Sequence, residues 1–265
     1  MSKILDKLAD QHEERLINTL YRLEDDVIRA VRQATGGSLD KTDIRLAIAL
    51  QPQLRATIEN VFLNEADLLI NDDYNKIAKD VLDEFGKMPI PARFKNLTEV
   101  DLVTIDALKR QTFEGFEDIA ERFLKEINDL VDFINENKFN PKMKAQVDEA
   151  IRKLHTQYAS DRSGENLRKY AGQIAHDSVM QFHGQFTIKK AKDAGLTHFR
   201  YTGTLIRDSR QFCREMVNKT LTETEIRDMW KRRSWAGKSN GDPFIVRGGY
   251  RCRHTWLPTD PNWNI

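Results

Sequence analysis

Apolar residues recur along the first thirty-four positions at helical intervals. Leu16, Leu20, Leu23, Val27, Ala30 and Ala34 alternate steps of four and three, which places them on one stripe of a helix over 2–34. Gly36-Gly37 supplies a stop beyond it, and 39–50 reads as a second, short helix. Pro52 suits a first helical position, where its missing N–H is not needed. From there Leu54, Ile58, Val61, Phe62, Leu68 and Leu69 keep helical spacing through 52–85. Gly86 and the closely set Pro89 and Pro91 disfavour helix and enforce extended backbone, so 86–97 reads as a connector. Thr98 and Asp101 have the spacing of a capping box, with Asp in place of Glu or Gln. The helix they open, 98–135, has the most regular pattern of the chain. Phe113, Phe116, Ala120, Phe123, Ile127, Leu130 and Ile134 repeat by threes and fours, a heptad seam that packs either in a hairpin within the chain or on a second copy. Asn140-Pro141 opens another helix toward Tyr158 with an N-cap and a Pro at N1. A turn over 160–164 interrupts it, and a last helix over 165–191 ends before Gly195.

Beyond Gly195 the period shortens. Residues 197–205 alternate as a strand does. Thr222 and Glu225 form a capping box for a short helix through Lys231, and 232–242 is a basic, Gly-containing loop. Residues 244–246 and 251–257 read as two further strands, the second placing Cys252, His254 and Trp256 on one face. The expected fold is α+β: a long-helix region over 1–195, as a bundle or extended helical hairpins, followed by a small α+β module with a short antiparallel sheet over 196–265.

Composition narrows the class. With 40% hydrophobic and 31% charged residues the chain has enough apolar content for a core and is not of the disordered type. It has no run of eighteen apolar residues and its first residues lack the apolar stretch of a signal peptide, so neither a membrane anchor nor export is expected. Two cysteines in 265 residues do not make a disulfide framework, and a reducing compartment is the default. The net charge of +1 conceals a split: from Thr187 onward there are 16 Lys and Arg against 8 Asp and Glu, and before it 26 against 33. Such a division suits two surfaces with different partners, the basic one fitting nucleic acid or an acidic protein face.

The candidate chemistry gathers near the end of the chain. Cys213, Cys252 and His254 are the best metal-ligand set, since zinc takes thiolate and imidazole in a tetrahedral array. Asp208 or His198 is the candidate fourth ligand. A Cys213–Cys252 disulfide and a pair of packed thiols are the competing readings. Lys231, Arg232 and Arg233 with Trp235 nearby, extended by Arg247, form a basic and aromatic group of the kind that contacts phosphates and bases, or else docks a protein. Gly237-Lys238-Ser239 is not a phosphate loop, because Arg232 stands where its first glycine belongs. His176 and His183 are about 10.5 Å apart on a helix, too far to share one ion, and read as surface or packed residues; His12 and His155 carry no signal. Glu13-Glu14, Asp25-Asp26 and Asp72-Asp73 read as solvated helix faces. No Ser-His-Asp order, HExxH or GxSxG elbow is present.

The stretch Tyr201-Thr-Gly-Thr-Leu-Ile-Arg-Asp208-Ser-Arg210-Gln-Phe-Cys213, followed about forty residues later by Gly248-Gly249-Tyr250-Arg251-Cys252-Arg253-His254, resembles the Mu F-like phage head morphogenesis family. That family shows an Asp-x-Arg with a Cys or His after it, then a closing Cys-Arg-Cys or Cys-Arg-His before a hydrophobic strand and a Pro. Asp208, Arg210, Cys213, Cys252, Arg253, His254 and Pro258 match, and Gly248-Gly249 completes the structural motif. Where many relatives carry Cys-x-x-Cys, this chain has Arg210 and Cys213. The resemblance covers roughly the last seventy residues.

It implies a minor head protein of a tailed phage, bound to the portal protein or the major capsid protein. Such a protein assists head assembly, DNA packaging or ejection by binding rather than catalysis. It resides in the virion near the portal vertex and in the host cytoplasm during assembly, with packaged double-stranded DNA as a further partner. No cofactor is expected, zinc being the candidate metal. Modules beside this family are sometimes toxins, so the alternative is a nucleic-acid hydrolase using His254, His198 and Asp208. A coiled-coil adaptor that self-associates through 98–135 is a third reading.

Overall fold

The structure, a computed structural model, describes residues 2–34, 52–137, 139–156 and 167–263. The predicted stop at Gly36-Gly37, the short helix over 39–50 and the turn over 160–164 lie outside the described residues. Helix α1 (Ser2–Ala34) matches the first apolar stripe, with Leu16, Leu20 and Leu23 buried. Helix α2 (Asn64–Lys87) is continued backwards by a π-helical turn, Glu59–Leu63, and by helix over 52–58, with Pro52 in helix. The π turn adds a residue and rotates the apolar stripe. Leu54, Ile58, Phe62 and Leu69 are buried as predicted, but Leu68 is 60% exposed.

The connector is shorter than 86–97, since α2 runs through Gly86 to Lys87; a 3-10 turn, Ala92–Phe94, follows Pro91. Helix α3 (Glu99–Asn137) begins at the capping box read from the sequence. Thr98 N donates to Asp101 Oδ2 at 2.9 Å, and Asp101 N donates to Thr98 Oγ1 at 3.1 Å. Along the seam Phe116, Ala120, Phe123, Ile127 and Ile134 are buried, and Phe116 meets the edge of Phe62 at 6.1 Å. Of the two readings of the seam, a hairpin within the chain or a second copy, this contact fits packing within the chain. Helix α4 (Lys144–Thr156) follows a 3-10 turn, Pro141–Met143, capped by the Asn140 side chain, which accepts from Lys142 N at 3.1 Å. Helix α5 (Leu167–Asp193) ends where Gly195 takes a left-handed φ of 72°, the helix-ending conformation glycine adopts without a Cβ penalty.

Three strands follow: β1 (His198–Gly203), β2 (Thr220–Thr222) and β3 (His254–Thr259). They form an antiparallel sheet in the order β2-β1-β3, with Tyr201 opposite Trp256 and Gly203 opposite His254. Three short helices lie between them: α6 (Gln211–Met216), α7 (Glu223–Arg232) and α8 (Pro243–Val246). The capping box of α7 is present in both directions. The expected strand at 244–246 is instead helix α8, because Asp242 accepts from Phe244 N at 2.9 Å and Pro243 takes the first position, a helix start by both criteria. The last strand begins three residues later than predicted, after Arg251 turns the chain with a φ of 48°. The α+β class, with long N-terminal helices and a small antiparallel sheet, is the one the sequence pattern implies.

The chain divides into two compact units, but not at residue 195. One comprises Met1–Glu13, Ile70–Thr112 and Gln173–Ile265; the other comprises Glu14–Leu69 and Phe113–Gly172. The sheet-bearing module thus shares a unit with segments of α1, α2, α3 and α5. Within that unit Lys189 and Lys190 of α5 donate to the two Asp101 oxygens at 2.6 and 3.0 Å, and Lys190 also donates to Asn96 O at 2.9 Å.

Candidate metal centre

Strand β1 is the centre of the sheet, and its alternation turns Phe199 and Tyr201 inward, both fully buried. After β1 an exposed loop leads to α6, whose buried face is Phe212, Cys213 and Met216. The spacing of one and four keeps these three on one side of the helix. Cys213 therefore comes to Tyr201 from the first turn of α6.

The second approach comes through a tight backbone path. Arg247 has a φ of 55° and Gly249 one of 109°. Cys252 N then donates to Gly249 O at 3.1 Å, closing the turn that delivers Cys252. Gly248 is where the chain passes the cluster. A Cβ there would lie 2.6 Å from Cys213 Sγ, 2.9 Å from Cys252 Sγ and 3.0 Å from Tyr201 Oη. At Gly249 a Cβ would stand 1.9 Å from Gly237 O, so no side chain fits at either position.

The result is a buried constellation. The Cys213 and Cys252 sulfurs are 3.7 Å apart and unjoined, both residues being free cysteines. A disulfide would need a separation of about 2.05 Å. Cys252 Sγ lies 3.8 Å from His254 Nδ1, and one ligand atom from each of Cys213, Cys252 and His254 falls within 4.8 Å of the others. Tyr201 Oη is 3.3 Å from Cys252 Sγ and 3.6 Å from Cys213 Sγ. The Tyr201 and His254 rings are stacked, 5.3 Å between centroids and 8° between planes.

The two sulfurs differ in acidity. Cys213 is pushed far up by its hydrogen bond with Cys252 and by burial. Cys252 is held well down as acceptor of that bond, against its own burial, with His254 and the Arg247 charge adding to the effect. Burial and the adjacent sulfurs push the Tyr201 hydroxyl up, so it stays protonated. Burial raises Asp6 of α1 to about 6, against the lowering charges of Arg253, His176 and His254.

The fourth ligands expected from the sequence do not take part. Asp208 is exposed in the loop after β1. His198 pairs with Thr222 and Thr259, five residues along β1 from the Gly203–His254 pair, a distance of roughly 16 Å along a strand. His198, His254 and Asp208 thus do not converge as a hydrolytic site requires.

The remaining motif residues hold the module together. Arg210 donates to Tyr250 O and lies under Gly237. Arg253 forks both terminal nitrogens onto Asp10 of α1 at 2.9 Å each, and Arg251 reaches Glu13 at 2.6 Å. The Arg251 backbone N also donates to Asp177 of α5 at 3.1 Å.

The basic and aromatic group separates into two kinds. Lys231 and Arg232 are exposed. Arg247, expected to meet a partner, is only 1% exposed and donates to Ile245 O at 2.9 Å and Asp177 at 3.4 Å. Trp235, expected to meet nucleic acid or a protein partner, stacks on Phe212 at 4.1 Å and donates to Gly248 O at 2.9 Å. Arg233 is half-buried and paired with Glu215. Lys238 covers the Trp230 and Trp235 rings at 4.9 and 5.2 Å.

Several partners were not singled out in the sequence. Tyr201 could have been, because its inward position follows from the alternation that buries Phe199. Asp10 and Asp177 carry no local signal, being ordinary acidic positions on helices, whereas Glu13, read as part of a solvated face, is paired with Arg251. Asp73, read as part of a solvated pair, is 2% exposed and accepts from His12 Nδ1 across 2.7 Å. His176 and His183 are both buried, and His183 lies 3.3 Å from Thr255 Oγ1.

Comparison with protein-family models, curated proteins and solved structures finds no match to this chain. Among the described residues no helix is long and apolar enough to cross a membrane.

Proposed function

We propose that this chain is a minor head protein of a tailed phage, acting at or near the portal by binding, with no bond made or broken. The supporting observation is the closure of the C-terminal module on its own motif. Cys213 and Cys252, thirty-nine residues apart in sequence, approach to 3.7 Å. Gly248, Gly249, Arg210 and Arg253 each hold that arrangement in place. These are the residues on which the resemblance to the head morphogenesis family rests. Lys231 and Arg232 present exposed positive charge at the end of α7, suited to an acidic face on portal or capsid protein, or to packaged DNA.

Hydrolysis is the weaker reading. A general base has to reach the scissile group, whereas His254 is 2% exposed and stands apart from His198 and Asp208. On this reading the protein works in the virion near the portal vertex, after assembly in the host cytoplasm.

Co-expression of the tagged full chain with portal protein and with major capsid protein tests this. Retention of one of them is expected, with at least tenfold weaker retention when Lys231→Glu and Arg232→Glu are combined. Failure to retain either protein, with nucleic-acid cleavage by the chain that disappears in His254→Ala, would replace this reading with the hydrolase.

A further inference from the structure

We propose that Cys213, Cys252 and His254 bind one zinc ion per chain, with the Tyr201 hydroxyl at the fourth corner. Tetrahedral zinc with bonds of about 2.3 Å to sulfur and 2.0–2.1 Å to nitrogen or oxygen has edges of roughly 3.8 Å between sulfurs and 3.6 Å from sulfur to the lighter atoms. The sulfur–sulfur separation here is 3.7 Å, sulfur to His254 Nδ1 is 3.8 Å, and the two sulfur to Tyr201 Oη distances are 3.3 and 3.6 Å. Four of the six edges among donors from β1, α6, the turn before β3 and β3 itself thus match those of one tetrahedron, and a His254 ring nitrogen lies within 4.8 Å of Cys213 Sγ. The fourth donor is a residue that neither the cysteine spacing nor Asp208 or His198 indicated.

The surroundings fit a closed site. Cys213, Cys252, His254 and Tyr201 are all 2% exposed or less. Gly248 closes the face formed by the two sulfurs and the hydroxyl, as its short Cβ distances to all three require. Two thiolates cancel the charge of the ion, so Tyr201 has only to supply a neutral oxygen. Their protons leave to solvent as the ion enters. With all four corners supplied by protein, no position is left for substrate, and the ion is structural. It ties together the segments that Arg251 and Arg253 attach to α1. The fold would hold the ion whatever surface the module docks on.

Metal analysis of the full chain purified without chelator, followed by cobalt substitution, tests the site. About one zinc per chain is expected, and added Co2+ should give the thiolate-to-metal charge-transfer band together with tetrahedral d–d absorption. His254→Cys should keep the ion and intensify the charge-transfer band, whereas His254→Ala should lower zinc retention at least tenfold. Tyr201→Phe should keep a three-ligand site with shifted d–d absorption and affinity weaker by roughly tenfold. A wild-type chain that carries no zinc, gives no charge-transfer band with Co2+ and titrates two thiols would overturn the proposal. An unchanged cobalt spectrum and affinity in Tyr201→Phe would remove Tyr201 from the fourth corner.

Discussion

Arg253 lies between a cysteine and a histidine of the buried cluster, yet its guanidinium points away and forks onto Asp10 of α1, both bonds at 2.9 Å. One residue of the closing motif therefore faces the helical segment while its neighbours face the cluster. Both partners are partly exposed, so the pair is worth about 1 kcal/mol rather than the several expected of a buried one. A double-mutant cycle with Arg253→Ala and Asp10→Ala should return a coupling of that size in denaturant unfolding.

Gly248 and Gly86 should respond oppositely to alanine. At Gly248 the added methyl meets both sulfurs and the Tyr201 hydroxyl within 3.0 Å, so Gly248→Ala should cost about 1–3 kcal/mol and abolish zinc retention. At Gly86, inside α2, nothing lies within 4 Å of the added carbon. Gly86→Ala should stabilise by about 0.5–1 kcal/mol. Thermal melts of the two variants check both signs.

Asp101 makes the fold sensitive to strong acid. Burial alone would raise its carboxyl, but the hydrogen bonds from Lys189, Lys190 and Thr98 outweigh burial and hold it down at about 2, from 3.8. Its contribution, about 2 kcal/mol, is complete above pH 4 and is lost as pH falls from about 4 toward 2. Asp101→Asn should remove that acid slope. It should also destabilise at neutral pH by about 3 kcal/mol, because Lys190 is left buried without its carboxylate.

His183 acts in a higher window. Burial and the Arg247 charge lower its pKa from 6.5 to about 3, so the unfolded chain takes up a proton first. Stability should fall as pH drops below about 6.5 toward 3, by on the order of 3 kcal/mol at pH 4. His183→Gln should flatten this part of the profile while leaving the Asp101 limb in place. Urea unfolding at intervals from pH 7 to pH 2 separates the two.

How far the sequence reveals this arrangement depends on the range of each interaction. The caps at Thr98, Asn140 and Thr222 and the seam of α3 were legible, because three- and four-residue spacings state them locally. Leu68 was misplaced because a π turn leaves no mark in an apolar pattern, and α8 was mistaken for a strand although Asp242-Pro243 announces a helix. At the cluster, Cys213, Cys252 and His254 could be chosen by ligand chemistry. The fourth group could not, since Tyr201 acquires its role from the register of β1 against β3 and from Gly248. Arg247 and Trp235 look like contact residues by composition, but long-range partners on Asp177 and Phe212 claim them.

X-ray absorption fine structure at the zinc edge of the purified full chain tests most directly whether the two sulfur-bearing segments close on one centre. Two sulfur scatterers at about 2.3 Å and two nitrogen or oxygen scatterers at about 2.0–2.1 Å are predicted, one of them with the outer-shell pattern of imidazole. A zinc shell of nitrogen and oxygen alone, or one with a single sulfur, would contradict it.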